Sequence, residues 1–238
     1  MAKRRDRKSA ARVVQRQIAA ERRRRRTLWT SVVVVAVLVI AGLIGWGVYQ
    51  SQRSESGPLV APPSASATSG VTRGTGPVRI QVYEDFMCPF CRTFEEQSGS
   101  TLSSLVDQGR VTVVYNTVAY LDRASTTQYS TRSASAAACA ADGGKFLEYH
   151  NTLFAQQPAE GTAGLSDDQL ISIGTGLGLP AGSFGQCVTS GKYKPWVNSI
   201  TDAASADRIT GTPTIVVDGK VLPNPTPQTI TAAVDAAG

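Results

Sequence analysis

Cys88-Pro89-Phe90-Cys91 lies where an apolar run, Ile80 to Met87, gives way to a helical pattern, Arg92-Thr93-Phe94-Glu95-Glu96. A strand must end and a helix begin at this point. Two cysteines three residues apart at a helix start stack one above the other, close enough to pair. The free N–H groups and positive dipole end of the helix stabilise a thiolate on Cys88. A lowered thiol pKa makes that sulfur a better leaving group and ionises it more fully at neutral pH, as thiol–disulfide exchange requires. The motif points to redox chemistry, provided that the chain sits in a suitable compartment and something faces the pair.

The net charge of +6 averages two unlike regions. Residues 1–27 carry twelve Lys/Arg, including the run Arg22 to Arg26, against Asp6 and Glu21, a net +10, and the rest of the chain is net −4. From Leu28 to Val48 there are 21 residues without a charge. As a helix they would span about 30 Å, the thickness of a bilayer's hydrocarbon core. Trp29, Trp46 and Tyr49 stand near the two ends, where interfacial aromatics belong, and the basic residues lie on one side only. The expectation is a transmembrane helix over 28–49, N-terminus in and C-terminus out. It explains the arginine run more simply than a nucleic-acid patch does. The apolar run exceeds that of a signal peptide and no small-x-small site follows it directly, so an uncleaved anchor is expected. Residues 50–76, rich in Ser, Gly, Ala and Pro, read as a flexible tether. Cys88, Cys91, Cys139 and Cys187 all lie beyond the membrane segment, in an oxidising space on this topology.

Residues 77–238 suffice for one cored domain. Val78 to Phe86 alternates as a strand, Pro89 to Val106 reads as a helix and Val111 to Tyr115 as a second strand, hence a βαβ unit. From about 123 to 209 the signals are helical, over Ser133 to Ala141, Phe146 to Gln156, Asp167 to Gly174 and Lys194 to Asp207, with breaks at Gly143-Gly144, Pro158, Gly161, Gly164 and Gly178 to Gly182. Thr214 to Leu222 then reads as strand, Asp218-Gly219 turn, strand. Thr226 N-caps a closing helix that begins with Pro227. The expected class is α/β, preceded by one transmembrane helix. No Gly-rich phosphate loop follows a strand, so nothing suggests a nucleotide or nucleic-acid site.

Gly211-Thr212-Pro213 precedes that hairpin, where a proline suits a strand's first position. Three ordered segments now stand together: Asp85-Phe86-Met87-Cys88-Pro89-Phe90-Cys91, Lys145 to Ala155, and Gly211 to Gly219. With them residues 76–238 resemble the thioredoxin fold in its DsbA-like branch, with an inserted helical domain. The resemblance implies that Cys88 is an exposed nucleophile and Cys91 a more buried resolving thiol. It implies that Pro213 is cis and packs against the disulfide, with Thr212 presenting backbone groups to an extended client, beside the motif neighbours Pro89 and Phe90. Many such enzymes hold a buried carboxylate six residues before the first cysteine, and here that position is Val82. Glu84, two residues on, is a candidate proton shuttle, although a carboxylate at a strand end is more often simply solvated.

Rival readings of the cysteines are weaker. Zinc usually takes four ligands, and the chain has no second CxxC and one histidine, His150, which reads as packed or surface. A purely structural CxxC bridge would constrain the unfolded chain little. If Cys88 and Cys91 form one pair, Cys139 and Cys187 form the other, a structural disulfide, the alternative being two unpaired buried thiols. No cofactor is called for beyond the redox pair. The function expected from the resemblance is an extracytoplasmic oxidase that donates the Cys88–Cys91 disulfide to reduced exported proteins and is reoxidised by a membrane partner of the DsbB or VKOR-like kind. A membrane-anchored reductase, as in cytochrome c maturation, an isomerase, and a non-enzymatic binding or chaperone module are the alternatives.

Overall fold

The computed structural model describes residues 59–238. The basic tail, the apolar run over 28–49 and the first part of the tether lie outside the described residues. Among the described residues no helix is long and apolar enough to cross a membrane.

β2 (Val78–Glu84), helix α1 (Pro89–Asp107) and β3 (Val111–Thr117) form the expected βαβ unit, with β2 and β3 parallel from Val78 opposite Val111 to Glu84 opposite Thr117. The strands read as β-branched runs because β2 is paired on both sides and both strands are largely buried. β4 (Thr214–Val217) lies antiparallel on the other edge of β2, and β5 (Lys220–Val221) follows through a turn in which Asp218 and Gly219 take positive φ, 46° and 79°. Helix α7 (Pro227–Ala237) starts at Thr226 with a reciprocal cap between Thr226 and Thr229. It packs against α1 and β4.

A fifth strand was not expected. β1 (Val71–Arg73) pairs antiparallel with β3, giving the sheet order β1-β3-β2-β4-β5. The reading of 50–76 as a tether without a buried face is therefore corrected for its last third. Gly70 donates its N–H to Asn116 Oδ1, and a Cβ on it would stand 1.9 Å from the Tyr115 carbonyl oxygen, so the close backbone approach admits only glycine. Upstream, Trp196 Nε1 donates to the Ser66 carbonyl and Ser199 Oγ to the Ala67 carbonyl, each at 2.8 Å. The small residues that resembled a linker are a strap that fits because it is small.

Between β3 and β4 lie a 3-10 turn (Tyr120–Ala124) and five helices: α2 (Tyr129–Asp142), α3 (Phe146–Ala155), α4 (Asp167–Gly176), α5 (Ala181–Ser190) and α6 (Lys194–Ala206). Helix α2 is buried almost all round. Two of its serines are satisfied, Ser133 Oγ donating to the Tyr129 carbonyl and Ser130 Oγ to Asp85. Helix α5 is missing from the sequence reading, which took Gly178 to Gly182 as a break. Phe184 and Val188, four residues apart, bury one face of it and hold it helical despite Gly182 and Gly185. Cys139 on α2 and Cys187 on α5 form a disulfide, Cα to Cα 6.0 Å, so the two-bridge reading of the four cysteines holds for this pair.

Candidate active site

β2 ends at Glu84, and the next four residues turn the chain into α1. Asp85 organises that turn. Its Oδ1 accepts from the Met87 N–H at 2.9 Å and from Ser130 Oγ at 2.6 Å, and its Oδ2 accepts from the Leu121 N–H at 2.9 Å. One buried carboxylate thus ties the motif to the 3-10 turn and to α2. Burial pushes its pKa up to about 6, against the pull of those three hydrogen bonds. Gln157, just past α3, holds the turn from the other side, its Nε2 donating to the Phe86 and Cys88 carbonyls at 3.0 Å each. Neither tie was found from the sequence: Asp85 opens the motif segment without a role of its own being legible there, and Gln157 belongs to no motif.

Cys88 is the N-cap of α1 and Pro89 occupies the first turn, where its missing N–H costs nothing. Both cysteines are free thiols. Cys88 is 5% exposed, so the expectation of an exposed nucleophile is corrected: the sulfur sits under the loop before β4, donating to the Thr212 carbonyl at 3.4 Å. The Thr212–Pro213 peptide is cis, as the resemblance implied. Phe90, by contrast, is 74% exposed beside the pair. The Cys88 thiol is lowered to about 6, by hydrogen bonding from the Cys91 thiol first, then from Thr212 and from the Cys91 and Phe90 N–H groups, against the opposing effect of burial. Cys91 is fully buried, its Sγ accepting from the Asp85 N–H at 3.5 Å. Burial above all, then the neighbouring Cys88, drives its pKa far upward.

Val82, at the position where related enzymes hold a carboxylate, is buried between Tyr115 and Ile215 in the sheet. Glu84 is fully buried as well, so the expectation that it is solvated is corrected. Its Oε1 lies 2.6 Å from Nε2 of His150, also fully buried, whose ring stands among Phe86, Tyr115, Phe146 and Phe154 at centroid distances of 5.0–5.7 Å. Nδ1 donates to Asn151 Oδ1 at 2.9 Å. Burial alone pushes the imidazole down, but the Glu84 charge and hydrogen bond, with Glu95 beyond, outweigh it and hold it at about 9. Glu95, on α1, completes the group: donor atoms of Glu84, Glu95 and His150 lie within 4.8 Å of one another. Three such donors could in principle hold a cation, yet with both ring nitrogens facing oxygen acceptors His150 is an imidazolium rather than a ligand.

A family model described as Thioredoxin matches residues 72–236. The chain belongs to the thioredoxin family. Within it the chain is DsbA-like: it is 34% identical to DsbA of Mycobacterium tuberculosis, solved in a reduced form, covering 76% of this chain and 88% of that one at a TM-score of 0.61. DsbG of the same organism, a disulfide bond oxidoreductase, is also 34% identical over 77% of this chain and 91% of that one, with a TM-score of 0.62. A disulfide bond formation protein D of Bacillus cereus is 23% identical over 205 residues, 84% of this chain and 91% of the relative. The DsbA-like chain is thus a protein disulfide oxidoreductase, an enzyme, and a purely structural CxxC is set aside. Names of both DsbA and DsbG type among the similar structures leave the direction of exchange to be argued from the site.

Proposed function

We propose that this DsbA-like protein is an oxidase that donates the Cys88–Cys91 disulfide to exported proteins. The observation that carries this reading is the asymmetry of the pair: Cys88, at about 6, is stabilised as a thiolate, while Cys91 is kept as a thiol. Interactions that favour the Cys88 thiolate exist only in the reduced form, so they make the disulfide eager to accept electrons. A client thiolate attacks Cys88 Sγ and Cys91 departs with the electron pair of the broken S–S bond, then takes a proton. A second client thiolate attacks the client sulfur of the mixed disulfide, and Cys88 leaves as a thiolate that is stable at neutral pH. The client gains a disulfide, and the enzyme is left with a Cys88 thiolate and a Cys91 thiol.

Thr212 and Pro213 offer the backbone beside which an extended client would lie, and exposed Phe90 an apolar contact next to it. The chain needs no cofactor for this exchange. In our reading residues 28–49 anchor the domain on the outer side of the membrane, and a membrane protein of the DsbB or VKOR-like kind removes two electrons from the pair in each cycle while the Cys91 proton is released.

Two measurements test this. Titrating the Cys88–Cys91 pair in glutathione buffers should give a potential well above about −270 mV, the value for thioredoxin; one at or below it would favour the reductase alternative. Cys91→Ser should accumulate mixed disulfides with reduced clients, and Cys88→Ser should not.

A further inference from the structure

We propose that Tyr120 is a positioning residue for client docking: its hydroxyl pins the loop before β4, so that the Thr212 and Pro213 backbone stands at a fixed distance from the Cys88 sulfur. This deepens the proposed function and rests on client docking along that loop, whichever way the electrons flow.

The 3-10 turn that carries Tyr120 joins β3 to α2. Four successive residues, Ala119 to Asp122, each tie it to a different segment. The Ala119 N–H donates to Thr201 Oγ1 on α6 at 3.0 Å. The Tyr120 hydroxyl donates to the Ile209 carbonyl at 2.6 Å. The Leu121 N–H donates to Asp85 Oδ2 in the motif turn at 2.9 Å. Asp122 Oδ1 accepts from the Thr131 N–H on α2 at 3.0 Å. The ties at Ala119, Leu121 and Asp122 fix the turn itself, to α6, to the motif and to α2. The tie at Tyr120 carries that fixed frame across to the loop that faces Cys88.

The loop has few other holds. It leaves α6 through Arg208, whose φ of 62° is a left-handed conformation that persists in a non-glycine residue only where the surroundings hold it. Ile209 follows, its N–H donating to the Ala204 carbonyl at the helix end. The loop enters the sheet at Thr214, opposite Tyr83 of β2. Between these ends Thr210 and Gly211 are exposed. Among the described residues, two other side chains bond the backbone of this stretch. Thr214 Oγ1 donates to the Gly211 carbonyl, a local contact, and Cys88 Sγ donates to the Thr212 carbonyl. In the disulfide Cys88 has no proton to donate, so the hold at Thr212 is gone in the form that meets a reduced client. Tyr120 is the side chain that then still ties the loop to the motif's own frame. A strand that docks out of register misplaces its sulfur, and small misplacements of reacting atoms are costly.

The Tyr120 ring packs partly buried against the core, so Tyr120→Phe removes the hydroxyl alone. The test uses the full chain in detergent and a synthetic peptide with two reduced cysteines. Tyr120→Phe should raise the KM for peptide oxidation about three- to tenfold, the worth of one neutral hydrogen bond, and leave kcat unchanged. Dithiothreitol, which docks no strand, should reduce the oxidised variant at the wild-type rate. In the reduced variant the Cys88 ionisation midpoint rises above about 6, as the Thr212 contact that contributes to lowering it loosens. A merely structural tyrosine would not move that midpoint. Tyr83→Phe, which removes a hydroxyl that meets Gln81 instead, behaves as the wild type in all three measurements. A wild-type KM or an unmoved midpoint in Tyr120→Phe, equal slowing toward peptide and dithiothreitol, or the same loss in Tyr83→Phe overturns the assignment. A wild type that reduces the disulfide form of the peptide but does not oxidise the dithiol overturns the oxidase reading instead, and Tyr120→Phe then shows its raised KM in that direction.

Discussion

Cys88 and Cys91 are the same residue three positions apart, and their surroundings drive them in opposite directions. The first sulfur receives hydrogen bonds from a thiol and from helix-start N–H groups; the second is sealed from water. Because the Cys91 thiol is the largest contributor to the lowering of Cys88, Cys91→Ala should raise the ionisation midpoint of Cys88 above about 6. Thiolate absorbance followed through a pH titration reads that shift, and an unmoved midpoint would assign the lowering to the helix N–H groups instead. Asp85 shows what a motif hides. Nothing in the sequence separates it from Glu84, yet it accepts three hydrogen bonds from three segments. Asp85→Asn preserves the shape but turns a donor toward one of those donors, and should cost about 1–3 kcal/mol in chemical denaturation of the reduced protein.

At the scale of elements, α3 and the residue beyond it decide how the motif is held. Gln157 satisfies two carbonyls of the turn, and His150 pairs with the end of β2. Glu84 and His150 are a buried ion pair, so His150→Phe leaves a carboxylate without its partner and should destabilise the protein by about 3–5 kcal/mol. Glu84→Leu combined with His150→Phe should recover most of that loss, as measured by urea unfolding, because an apolar pair carries no charge to desolvate. The β-branched runs of β2 and β3 and the cap of α7 were readable because local chemistry and burial agree there. β1 and α5 were not, since their small residues and glycines signal turns locally and only the packing of β1 against Tyr115 and the burial of Phe184 and Val188 on α5 override that preference.

For the molecule as a whole, the thiol of Cys88 links redox state to stability. Its pKa falls from 9.0 to about 6 on folding. A depressed pKa adds stability that is complete above pH 9 and is lost as pH falls through 6, and only the reduced protein carries it. Reduced and oxidised forms share Asp85, Glu95 and His150, whose raised pKa values work in the opposite sense in both, and below pH 9 Cys91 stays a thiol whether the reduced chain is folded or not, so in that range the difference between the two forms isolates Cys88. That difference should favour the reduced form by about 1.4 kcal/mol more for each pH unit between 6 and 9. Thermal melts of both forms across that range check it; a difference independent of pH would contradict the low pKa. The Cys139–Cys187 bridge spans 48 positions between α2 and α5. Replacing both cysteines by alanine should cost up to about 4 kcal/mol while leaving the Cys88–Cys91 potential unchanged.

The sequence by itself determined the redox pair, the strand–helix junction that holds it and the order of the main elements, because each depends on neighbours within a few residues: a cap, a turn, a period of burial; the proline facing the pair came from the resemblance to the family. Only the tertiary structure decided that Cys88 is nearly covered, that Gln157 and Asp85 hold the turn, and that Glu84, Glu95 and His150 meet behind Cys91. Those contacts cross up to 124 positions of sequence, and the Glu84–His150 pair alone crosses 66. Whether a carboxylate there is solvated or buried depends on which distant side chain the fold lays over it.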